Sequence, residues 1–211
     1  MTNFIDSISQ RKAAIVVGIA FITLFLLLIV IDDFVLSNFI VPGDSAKLAS
    51  DIMANEMRFG IAVAGLLIIL TLDAVIALAL YVVLKPANKN LASLTAVLRL
   101  LYVVTLAIGV FALVFKVIDV YSYETMRLNA FIFFTAHLFV LGYSIFKSGY
   151  IPKILGVSLI IASFIYIIVF YANFLVPEAL LPILMVPAAI AEFSIGIWLL
   201  LKRDKIPEMK L

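Results

Sequence analysis

Four acidic, basic or imidazole side chains, Asp73, Arg99, His137 and Glu192, sit in the interior of long apolar segments, and no other such side chain does. A charge inside a bilayer is costly, so residues of this kind face a partner or a water-filled cavity rather than lipid. Two acids, a permanent cation and an imidazole are the components of an ion-pair network, a proton relay or a ligand site. Arginine stays protonated, and in hydrocarbon it requires a carboxylate. One carboxylate neutralises it. The second must then be protonated or paired with a charged His137, and a group whose charge depends on its neighbour is what proton-coupled machinery uses.

Depth brings the four together. At a helical rise of about 1.5 Å per residue, Asp73 lies about 18 Å from the edge marked by Lys85, and Arg99 about 12 Å from Leu91. On the same rise His137 lies about 15 Å from Lys147, and Glu192 about 15 Å from Lys202. All four therefore fall in one layer near mid-membrane, which predicts that Arg99 reaches Asp73 or Glu192. It also predicts that His137 and Glu192 share one cavity. The competing reading is a static network in which a buried Asp–Arg pair fixes helix register and His137 bonds a backbone carbonyl.

Other chemistries lack their residues. There are no cysteines, which removes disulfides, thiolate metal sites and cysteine nucleophiles. With one histidine, a metal site would need both carboxylates as ligands, so no metal and no cofactor is expected. Thr135 and His137 are two positions apart and do not face each other on a helix. Thr71, Ser163 and Ser194 have no base fixed beside them, and the sequence contains no G-x-S-x-G, H-E-x-x-H or Gly-rich phosphate loop. Phe131, Phe133, Phe134 and Phe139 around His137 read as lipid contact and core. A net charge of +2, with the basic residues in short loops, excludes a nucleic-acid partner.

The elements that must position these residues are plain. Hydrophobic residues make up 66% of the chain and charged residues 13%, against about 25% charged in a soluble domain. Six segments of about 20 apolar residues can cross the hydrocarbon core: 13–31, 59–84, 92–115, 128–146, 154–175 and 181–201. The fold class is all-α, one transmembrane domain over 1–211 built as a six-helix bundle. The first run is too long for a signal h-region, lacks a small-x-small cleavage site, and reads as an uncleaved span. Pro182 and Pro187 should kink the last span or leave its first turn irregular. Trp198, near Lys202, reads as an interface anchor.

Charge sets the orientation. One set of loops holds ten basic residues (Arg11, Lys12, Lys85, Lys89, Lys147, Lys153, Lys202, Arg203, Lys205, Lys210) and the other four (Lys47, Arg58, Lys116, Arg127). The excess places both termini in the cytoplasm, which implies the cell membrane. The cytoplasmic turns 85–90 and 147–153 are tight and carry breaker residues, so spans two and three, and four and five, form hairpins. Tyr81-x-x-x-Lys85 and Tyr143-x-x-x-Lys147 precede them with equal spacing, the pattern of either a repeated hairpin or ordinary interfacial anchoring. The external loop 32–58 contains a turn at Val41-Pro-Gly-Asp44. A short amphipathic helix follows it, capped by Asp44 or Ser45, with Leu48, Ile52 and Met53 on one face. Gly60, Ala64, Gly65, Gly142, Gly156 and Gly196 are sites where helices can approach closely.

Several of these segments occur together in one family. The chain resembles the domain of unknown function 4386 family of multi-pass membrane proteins over roughly Val41 to Lys202. The likeness rests on Val41-Pro-Gly-Asp44, Leu72-Asp73, Leu84-Lys85-Pro86-Ala-Asn88 and Leu98-Arg99-Leu100. It continues through His137-Leu138, Leu141-Gly142-Tyr143, Lys147-Ser-Gly-Tyr-Ile-Pro-Lys-Ile-Leu-Gly156, and Glu192 with Leu199 and Lys202. The family's Gly-Glu pair in the last span stands here as Ala191-Glu192. The resemblance implies an integral membrane protein and carries over no catalytic or ligand residue.

Three functions fit. The first is a membrane protein that handles or senses a small molecule or ion through the polar layer, as a transporter, permease component or receptor. Six spans without a clear inverted repeat fall short of common carriers, although a homo-oligomer would double them. The second is a structural or partner-binding subunit whose polar network locks helices. The third is an intramembrane enzyme acting on lipid, with His137 as acid or base and Glu192 or Asp73 as its partner. A hydrated or ligand-sized cavity touching the four residues favours the first and third; a dry packed cluster favours the second.

Overall fold

The structure is a computed structural model that describes residues 8–31, 55–115, 117–118 and 120–208. The 41–44 turn and the amphipathic segment after it lie outside the described residues. Six helices are long and apolar enough to cross a membrane: α1 Gln10–Leu28, α2 Glu56–Leu84, α3 Lys89–Val114, α4 Val120–Ser148, α5 Lys153–Tyr171 and α6 Leu181–Leu201. Among the described residues there is no strand. Short 3-10 turns at Asn173–Leu175 and Glu178–Leu180 join α5 to α6.

Local chemistry sets the helix ends. Ser9 caps α1 by accepting from the Lys12 N–H, and the Asn88 side chain caps α3 by accepting from the Leu91 N–H at 3.0 Å. After α4 the chain turns at Gly149, whose φ of +79° lies in the left-handed region that favours glycine. Pro152 then precedes the first residue of α5. Pro182 sits in the first turn of α6, where no N–H is needed, and Pro187 sits inside a helix that continues through it. The α4 start differs from the sequence reading, which ended the external loop at 128. Glu124 and Arg127 were assigned to that loop by their charge, yet they lie one helical turn apart and pair, Arg127 Nη2 to Glu124 Oε2 at 2.7 Å. Likewise α5 ends at Tyr171 rather than 175, giving way to the first 3-10 turn.

Each helix packs chiefly on its neighbours in sequence, and α1 closes against α6, so the six form a ring. Two glycine contacts let backbones meet. A Cβ on Gly142 of α4 would stand 2.5 Å from the Gly156 carbonyl oxygen of α5, and the reverse contact is equally short. A Cβ on Gly18 of α1 would stand 2.8 Å from the Gly196 carbonyl oxygen of α6, which is where the ring shuts.

The end of the ring that carries the termini is tied by polar contacts. Glu208 accepts from the Ser9 hydroxyl at 2.7 Å, the Arg11 N–H at 3.1 Å and the Gln10 N–H at 3.2 Å. The tail therefore supplies a carboxylate to the open N–H groups of the first turn of α1. At the same end the Tyr150 hydroxyl, in the α4–α5 turn, donates to the Val83 carbonyl of α2 at 2.6 Å. Lys85 and Lys147 rest over Tyr81 and Tyr143, 5.8 and 5.7 Å from the ring centres, the same device in both hairpins.

Candidate functional site

Asp73 on α2, Arg99 on α3 and His137 on α4 form one connected group, each almost fully covered. Both the Nε and Nη2 hydrogens of Arg99 point at Asp73 Oδ1, the former at 2.9 Å. Nη1 of Arg99 lies 3.1 Å from Nε2 of His137, and Nδ1 of His137 lies 2.8 Å from the Thr95 carbonyl oxygen. The carbonyl can only accept and the guanidinium can only donate, so the proton is on Nδ1 and Nε2 is the acceptor. The imidazole in this arrangement is neutral. The guanidinium carbon also lies 5.1 Å from the Phe21 ring centre and 5.5 Å from that of Phe134. Three helices and two aromatic faces thus fix one cation, with its charge matched by one carboxylate.

Glu192 on α6 stands apart from this group. Its Oε1 accepts from the Tyr166 hydroxyl of α5 at 2.6 Å. It lines the same cavity as Arg99 and Asp73. Glu192 is only partly covered, because its side chain meets this cavity, of about 270 Å³.

All six helices contribute to that cavity. Its deep end is lined by Phe21, Asp73, Arg99, Phe134, Tyr166 and Glu192, and it continues past Tyr102, Leu106 and Phe131 to Leu28, Arg127, Phe170 and Met185. These latter residues lie toward the ends of their helices remote from the termini. Below the polar layer the bundle is packed solid, with Ile76, Leu80, Leu138, Leu141, Ile145, Leu159, Ile195 and Leu199 at most 1% exposed. The molecule is therefore a cup whose floor is the polar layer.

The sequence reading placed all four residues in one layer, and Arg99 meets Asp73 there. It also put His137 and Glu192 in one cavity, and here the structure differs. Glu192 lines the cavity, whereas His137 does not and is wholly covered. The reason is Arg99, which takes the imidazole as a hydrogen-bond acceptor. Both ring nitrogens of His137 are engaged, and the imidazole is held away from the cavity. Phe134 lies in the core with Phe131 and Phe133 packed against it, and Phe139 is exposed on the outer surface, as lipid contact and core require; Phe131 and Phe134 also line the cavity. Tyr102 and Tyr166 were not singled out. Their signal was a polar-tipped ring in mid-span, since a buried tyrosine hydroxyl normally has a partner. Among the described residues no group of three or more His, Cys, Asp or Glu side chains is arranged to hold a metal ion.

An Archaeoglobus fulgidus protein described as an uncharacterized protein is 41% identical over 106 residues, which is 50% of this chain and 63% of that protein. The match therefore spans somewhat less than two thirds of that relative's length. No solved structure matches the chain significantly. The profile of the family described as "Domain of unknown function (DUF4386)" matches residues 16–123 and 112–202. The chain is a multi-pass membrane protein of six spanning helices and belongs to the domain of unknown function 4386 family.

Proposed function

We propose that the protein binds a small molecule in the cavity between its six helices, as a receptor or handling protein, with Asp73, Arg99, His137 and Glu192 as the polar layer at its floor. The cavity itself supports this reading most. A network that only locked helices would need no space beside it. A cup of about 270 Å³ with mainly apolar walls and a few polar groups at its floor is room of the kind a small molecule takes. The covered Asp73–Arg99–His137 group can serve as a rigid lock while Glu192 faces the space, so the helix-locking reading describes part of the site and not the whole.

The excess of basic residues in the loops at the terminal end supports a cytoplasmic location for both termini, in the cell membrane. The cup then opens on the outer side. Transport would require the packed half to part as well, so binding or sensing is the narrower reading. Lipid chemistry by His137 loses its support, because the imidazole is fully covered and does not line the cavity.

The test is thermal unfolding of the purified protein in detergent against small compounds. A ligand of the native state raises the midpoint by mass action. Ala189→Phe, which places a phenyl group in the cavity, should abolish the rise. Compounds that stabilise this variant and the parent equally would overturn the reading.

A further inference from the structure

The charges lining the cavity select the class of ligand. Among the described residues two cations line it, Arg99 and Arg127, and each is held by a carboxylate of its own. Asp73 takes Arg99, whose remaining direction goes to His137. Glu124 takes Arg127, with Nε at 2.9 Å and Nη2 at 2.7 Å from Oε2. Glu192 is the exception. Among the described residues its one hydrogen bond is from the Tyr166 hydroxyl to Oε1, which leaves Oε2 toward the cavity. Among the described residues an anionic ligand would meet Asp73 and Glu192 with no cation left over to receive it. Among the described residues Glu192 has no cation of its own, and a positive ligand would supply the counter-ion that lets its carboxyl ionise.

The walls point the same way. Tyr166 touches Glu192 and also belongs to a continuous aromatic cluster. Its ring centre is 5.9 Å from Phe170 and 6.1 Å from Phe134. Phe131 lies 4.6 Å from Phe170, and Tyr102 lies 5.1 Å from Phe134. Aromatic faces attract cations, and quaternary ammonium groups are recognised by such surroundings. The combination of one unmatched carboxylate and an aromatic wall in a largely apolar cavity suits a charged nitrogen attached to an apolar body.

We propose that the cavity takes a small lipophilic organic cation, with its ammonium group at Glu192 and its apolar part against the Tyr102, Phe131, Phe134, Tyr166 and Phe170 wall. This rests on the cavity being a binding site and adds the charge class of its ligand.

Three compounds of one shape separate the two ideas: benzyltrimethylammonium, its uncharged isostere neopentylbenzene, and phenylmethanesulfonate. Binding to the full chain in detergent is measured by calorimetry, with Ala189→Phe as the blank for uptake by the micelle. The cation should bind at least ~10-fold more tightly than the neutral isostere, and the sulfonate least well. Glu192→Gln should erase the preference for charge while the neutral compound still binds. Equal affinity for cation and isostere, or tightest binding of the sulfonate, would overturn the cation inference and leave the cavity reading intact. A preference that survives Glu192→Gln would also overturn it. If none of the three binds beyond the blank, both readings fall. The parent-protein series alone decides the matter if the Gln variant does not fold.

Discussion

At the scale of single residues, the buried ion pair makes a sharp demand. Asp73→Asn leaves the Arg99 guanidinium almost fully covered with no carboxylate, and removing one partner of a buried pair costs about 3–5 kcal/mol. Removing both charges at once, as Asp73→Leu with Arg99→Met, should recover most of that loss, because two desolvated ions are exchanged for packing. Unfolding of the three proteins in detergent should therefore rank the double variant above Asp73→Asn. Arg99→Lys should resemble the single loss, since one ammonium cannot replace a fork that reaches Asp73 and His137 together. The four polar residues were legible in the sequence because a charge in an apolar run is conspicuous. Their pairing was only partly so. That Phe131 and Phe134 also line a cavity is not legible, because the side of a membrane helix that faces an apolar cavity looks like the side that faces core or acyl chains.

At the scale of elements, helix contacts make predictions that differ glycine by glycine. A methyl group at Gly142 would collide with the Gly156 carbonyl, which is backbone and cannot swing away. Gly142→Ala should therefore destabilise by about 1–3 kcal/mol, as overpacking does. Gly60 of α2 has nothing within 4 Å of an added Cβ. Gly60→Ala should be neutral or stabilise by up to about 1 kcal/mol through helix propensity. Parallel chemical unfolding of the two variants checks the contrast, and equal effects would contradict the α4–α5 contact. The six spans could be read from run length alone. The start of α4 could not, since Glu124 and Arg127 read as loop charges until their spacing of one turn is seen as a pair.

At the scale of the whole molecule, the terminal clasp depends on pH. Burial pushes the Glu208 carboxyl up, but hydrogen bonds from Ser9 and from the Arg11 and Gln10 N–H groups, with the Arg11 charge, together outweigh it and hold the group below its usual range. A depressed folded-state value means that the clasp is fully stabilising above the ordinary carboxylate pKa and is lost as pH falls through the lower value. The protection factors of the amides of residues 10 and 11, measured by hydrogen exchange relative to the intrinsic rate at each pH, should fall on acidification, and Glu208→Gln should remove most of that change. The orientation is tested by a cysteine at position 88 in this cysteine-free chain. It should react with a membrane-impermeant reagent only from the cytoplasmic side.

The closed ring has a consequence for how the chain can be cut. Every helix has its sequence neighbours on either side, α1 and α6 included, and Ser9 touches Glu208 across the join. The order of helices around the circle therefore has no privileged starting point. A circular permutant that links residues 9 and 208 directly and opens instead within the turn 149–152 would present the same six contacts in the same cyclic order. It should assemble the same cup, with α5 leading into the membrane in place of α1.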